Sequence, residues 1–76
     1  MTDSVQKSVV IFYSTSYAIK TESLAKKQGL FVKLIPVPRH LSSDCGICLS
    51  FNSNDIQEIK KILSDNKIEF DSIYDL

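Results

Sequence analysis

Ile47-Cys48-Leu49-Ser50-Phe51 decides the fold. Apolar residues at 47, 49 and 51 alternate with Cys48 and Ser50, the period of two expected of a strand with one buried face. Toward the amino terminus this strand is preceded by Cys45-Gly46 and a polar loop. That loop runs from Pro36 to Asp44, and before it Leu30 to Ile35 is again strand-like. Pro36 and Pro38 end the earlier run, because neither donates to a ladder and both restrict the residue before them. Two strands therefore follow one another without a helix between them. Hairpin loops in compact domains usually span roughly two to five residues, so a loop about twice that long points to function or mobility.

Toward the carboxyl terminus, Asn52-Ser53-Asn54-Asp55 is dense in capping residues, and Ile56, Ile59, Ile62 and Leu63 then recur at helical spacing until Asp65-Asn66. Ile68, Phe70, Ile73 and Tyr74 supply a last strand, with Glu69 and Asp71 on its other face. At the other end, Ser8-Val9-Val10-Ile11-Phe12-Tyr13 is a continuous apolar run suited to the middle of a sheet. Ser14-Thr15-Ser16 can cap a helix that Gly29 stops, with Ala18, Thr21, Leu24, Ala25 and Gln28 inward and Lys20, Lys26 and Lys27 outward. The order strand, helix, strand, strand, helix, strand predicts an α+β, ferredoxin-like sandwich. Two helices cover one face of a four-stranded antiparallel sheet whose first and third strands are central. Residues 1–7 read as a flexible leader and 8–76 as a single domain.

A chain of 76 residues with 43% hydrophobic content supports one modest core. Nine Lys and Arg balance nine Asp and Glu, so no bulk field holds the protein on nucleic acid or an anionic bilayer. No apolar run reaches membrane-span length, and the start of the chain lacks the basic and apolar segments of a secretory signal; a cytoplasmic location is expected. An RNA-recognition module has the same strand order, but its third strand is basic and here that strand holds no Lys or Arg. Phe12-Tyr13 reads as a core ring followed by an exposed one.

Cys45-Gly46-Ile47-Cys48 admits several readings. Free cysteine often fills space as a small hydrophobe, and Cys48, out of phase with Ile47, Leu49 and Phe51, is assigned that role on the open sheet face. Cys45 either fills space too or does chemistry: it stands where a proline loop returns to the sheet, beside a glycine that admits close approach, and downstream of Arg39 and His40, whose charge favours a thiolate. A metal site built from His40, Cys45 and Cys48, with Asp44 as a fourth ligand, lacks the second paired knuckle of structural zinc. A thioredoxin-like motif would open a helix, not a strand. Copper-carrier domains place their cysteine pair after the first strand, where this chain has Ser14-Thr15-Ser16. No metal and no cofactor is expected. A disulfide between Cys45 and Cys48 is not expected either, since three steps of extended strand span roughly 10 Å and a bridge needs Cα atoms about 4.4 to 6.8 Å apart.

Phe12-Tyr13-Ser14-Thr15-Ser16, Val32-Lys33-Leu34-Ile35-Pro36-Val37-Pro38-Arg39 and Leu41-Ser42-Ser43-Asp44-Cys45-Gly46 together resemble the selenium/sulfur carrier protein-like family. The pairing of Pro-x-Pro-Arg with Ser-Ser-x-Cys-Gly is the distinctive part, and the similarity runs from about Val9 to Tyr74. The resemblance implies transport of a sulfur or selenium atom on a cysteine in bacterial trace-element metabolism. It maps the family's cysteine and glycine onto Cys45 and Gly46 and its arginine onto Arg39; Cys48 is not part of the motif, though it could act as a resolving thiol. Implied partners are a donor such as a cysteine desulfurase and an acceptor protein. The alternative is a regulatory or interaction module that dimerises through its open sheet face, with Cys45 merely buried.

Overall fold

The computed structural model describes residues 6–41 and 46–76. Its elements are β1 (Lys7–Phe12), α1 (Thr15–Lys27), β2 (Val32–Pro36), β3 (Ile47–Asn52), a short 3-10 turn (Ser53–Asp55), α2 (Ile56–Asp65) and β4 (Phe70–Asp75). They form one four-stranded sheet in the order β2-β3-β1-β4, antiparallel at every pairing, so the fold is α+β and ferredoxin-like, with β1 and β3 central as the hydrophobic runs require.

The period-two pattern places Val10, Phe12, Leu49 and Phe51 on the face that meets the helices. There they pack against Ala18 and Ala25 of α1, Ile59, Ile62 and Leu63 of α2, and Ile68. Small alanines on α1 let that helix lie close to the sheet, and the isoleucines of α2 fill the remaining depth. Tyr13, by contrast, is 61% exposed, so the Phe12-Tyr13 pair divides into core and surface as alternation predicts.

Both helices close in the same way. Leu30 N–H donates to Ala25 O and Gly29 N–H to Lys26 O, while Ile68 N–H donates to Leu63 O and Lys67 N–H to Ser64 O. These paired bonds are Schellman motifs, whose penultimate residue must take left-handed backbone. Gly29 supplies it at φ 81° and Lys67 at φ 52°. Leu30 and Ile68 look like strand openings in the sequence but are spent on closing helices, so β2 starts at Val32 and β4 at Phe70. Gln28, expected on the inner face of α1, is its exposed C-cap. At the other end, Ser14 is the N-cap of α1 in extended backbone and makes no side-chain cap bond.

β1 opens at Lys7, one residue earlier than the sequence suggests, and the backbone is already engaged at Gln6, whose carbonyl accepts from Ser53 N–H at 2.9 Å. Pro36 closes β2 opposite Ile47 and is tolerated because β2 is an edge strand, where a missing donor interrupts no ladder. Among the described residues no helix is long and apolar enough to cross a membrane.

Candidate functional site

The loop between β2 and β3 begins as a continuation of the ladder. Val37 N–H donates to Gly46 O at 3.2 Å, which carries the pairing one step beyond Pro36–Ile47. Leu41 N–H then donates to Pro38 O at 3.0 Å, closing a four-residue turn with Arg39 and His40 at its two central positions. Pro38 fixes φ at the entry to the turn, and the two polar side chains at its tip stay in water. Arg39 and His40 are both exposed, side by side on that tip.

The turn is anchored by the residues that flank it. Val37 and Leu41 pack, together with Ile35, onto a second apolar cluster of Val9, Ile11 and Cys48 on the sheet face away from the helices. Cys48 does lie on that face, as its phase predicts, but the face is not open there: Cys48, Val9 and Ile11 are fully buried beneath the returning loop. Its thiol faces Pro36 O at 4.0 Å, a weak S–H contact. A strand-only reading missed this cover because Val37 and Leu41 belong to no regular element; their signal was two isolated apolar residues inside an otherwise polar loop.

Gly46 marks the exit of the loop. It is exposed, its backbone is not left-handed, and a Cβ built on it meets nothing within 4 Å. Neither backbone conformation nor packing among the described residues requires glycine there. Ser42, Ser43, Asp44 and Cys45 lie outside the described residues, as do the reading of Cys45 as a buried or reactive thiol and the expected absence of a bridge to Cys48. The structure thus brings Arg39, His40, Gly46 and Cys48 to one hairpin, with Cys45 next to Gly46 in the chain. Among the described residues no group of three His, Cys, Asp or Glu side chains is gathered as a metal site requires; Asp44 and Cys45 of the four-ligand reading fall outside that statement.

A family model described as "Putative Se/S carrier protein-like" matches residues 7–75. The chain belongs to this family. The match takes in every strand and both helices, and it includes the whole hairpin that carries Pro38-Arg39 and Cys45-Gly46. No curated protein and no solved structure gives a significant match.

Proposed function

We propose that the protein carries a sulfur or selenium atom on Cys45, as a persulfide or perselenide, and relays it from a donor protein such as a cysteine desulfurase to an acceptor protein in the cytoplasm. The observation that carries this reading is membership of the carrier-like family over a span that includes Cys45-Gly46. Two features of the hairpin support it. The turn bearing Arg39 and His40 is anchored by Val37 and Leu41, so the segment leading to Cys45 starts from a fixed point. Gly46, which nothing among the described residues requires as glycine, adds no side chain beside Cys45 that would obstruct a second protein.

In this reading the Cys45 thiolate attacks the terminal sulfur of the donor persulfide. A new S–S bond forms at Cys45, the donor's S–S bond breaks, and the donor cysteine leaves as a thiolate that takes up a proton; the sulfur changes owner without net oxidation. Onward transfer repeats the step, with an acceptor nucleophile attacking the terminal atom and Cys45 leaving. Arg39 and His40 would favour the anionic forms of Cys45 before and after loading. The carrier needs no deep pocket, because both partners come to it.

The test is intact-mass spectrometry after incubation with a cysteine desulfurase and cysteine. The expected result is one added sulfur on the wild type and on Cys48→Ala, and none on Cys45→Ser. An unmodified wild-type mass, with desulfurase activity verified in the same tube, overturns the proposal.

A further inference from the structure

Two lysines distant in sequence share one end of the sheet face away from the helices. On the sheet face away from the helices, one cross-strand row reads Lys33, Ser50, Val9 and Tyr74, and Lys7 stands beside Asn52 further along. Around Lys7 and Lys33 the described strands carry no carboxylate on this face. Asp75 lies on the other side, where its Oδ1 accepts from Ser8 Oγ, and Asp71 falls at the irregularity opposite Ile11 and Phe12. Glu22, Asp55, Glu58, Asp65 and Glu69 belong to the helices and their connections. Lys7 Nζ donates to the neutral Asn52 Oδ1 at 2.7 Å, whereas the ion pair of the described residues, Lys26 with Glu22, sits on α1. No described carboxylate compensates Lys7 or Lys33.

Between these two lysines lies a shallow hollow of about 240 Å³ lined by Lys7, Phe31, Val32, Lys33 and Ser50. Phe31 is 78% exposed, although its ring gains nothing from water. β2 is the edge strand, so an extended segment laid beside Val32 and Lys33 would find backbone groups to pair with.

We propose that this hollow docks an extended acidic segment of a partner protein, whose carboxylates meet Lys7 and Lys33 and whose apolar side chain covers Phe31. Identifying that partner as the donor or acceptor of the carried atom rests on the carrier reading. An acidic segment suits the site better than a second copy of this chain, because a face-to-face dimer brings like charges together. It also suits the site better than RNA, because the central-strand positions where base stacking needs exposed aromatic rings hold Val9, Ile11 and Cys48, all buried.

Amide chemical shifts of the full chain test the proposal at low salt. The probe is the acetylated, amidated peptide Glu-Leu-Glu-Leu-Glu; Lys-Leu-Lys-Leu-Lys and a short oligouridine are the comparators. The acidic peptide alone is expected to move the amides of Lys7, Val9, Phe31, Val32, Lys33 and Ser50. Its affinity should fall by about fivefold or more in the double variant Lys7→Gln, Lys33→Gln, the loss expected of two exposed charge pairs. No response to the acidic peptide, an equal response to either comparator, shifts centred on the helices, or shifts that follow protein concentration alone would each overturn it. Loading of Cys45 from inorganic polysulfide is read separately and should be the same in the double variant as in the wild type. If the wild type takes up no sulfur while the peptide still binds, the carrier reading fails and the docking site stands.

Discussion

Cys48 and Gly46 are two residues whose neighbourhoods make opposite demands. Cys48 is sealed among Val9, Ile11, Ile35, Val37 and Leu41 with Pro36 O 4.0 Å from its sulfur, so a serine hydroxyl there would be desolvated beside a carbonyl too distant for a good hydrogen bond. Cys48→Ser should therefore cost about 1–3 kcal/mol and Cys48→Ala less, and only the alanine variant is a clean control for loading; thermal denaturation of the two side by side measures the difference. Gly46 has open space around it and ordinary backbone, so Gly46→Ala should leave stability within about 0.5 kcal/mol of wild type. Transfer to or from a protein partner should slow in that variant while loading from small polysulfides does not, which separates steric access from thiol reactivity. Equal rates with both kinds of donor would remove Gly46 from the docking path. At Arg39, replacement by Ala should raise the midpoint of Cys45 alkylation against pH toward the roughly 8.5 of an ordinary thiol. An unchanged midpoint would make the turn tip a solvated surface and nothing more.

Elements in this chain are held at their ends by bonds that periodicity does not reveal. Ser8 is fully buried between the 3-10 turn and β4: its Oγ lies 2.6 Å from Ser53 Oγ and 2.9 Å from Asp75 Oδ1. Because a carboxylate can only accept, Ser8 donates to Asp75 and Ser53 donates to Ser8, a relay that ties β1 to both neighbours. Ser8→Ala should cost about 1 kcal/mol, read as a fall in Tm of about 4–8 °C, without affecting loading. Lys67 occupies the left-handed position that Gly29 fills in the other helix, so Lys67→Gly should be neutral or stabilising by up to about 1 kcal/mol, whereas Gly29→Lys should destabilise. Denaturant midpoints for the pair decide it; a loss of stability in Lys67→Gly would mean that the side chain matters more than the backbone. These ends are also where reading from sequence alone is weakest. Phe12, Leu49, Phe51 and the α2 isoleucines declare their faces through spacing. Leu30 and Ile68 have the composition of strand residues, and nothing local says that their N–H groups turn back to a helix.

Across the whole molecule, strand order and helix placement were legible because alternating and helical hydrophobic patterns specify which face each element buries, and one antiparallel sheet satisfies all of them. The covering of Cys48 was not legible, because it depends on non-local packing of Val37 and Leu41, in a loop, onto the cluster that Cys48 forms with Val9 and Ile11 of the first strand. The grouping of Lys7, Phe31 and Lys33 was hidden for the same reason: net charge averages to zero along the sequence, and only the sheet register brings these two lysines to one end of one face. The residues of the candidate site were named from motif and position. Of these the structure unites Arg39, His40, Gly46 and Cys48 on one anchored hairpin, and the family match spans it. What this arrangement is for comes down to one atom on one side chain. The direct measurement is tandem mass spectrometry of the protein loaded by a desulfurase and cysteine, with fragmentation between Cys45 and Cys48 to locate the added sulfur, followed by a chase with an unloaded thiol acceptor. The account predicts the sulfur on Cys45 and its departure during the chase; sulfur on Cys48, or none on either cysteine with an active donor present, would contradict it.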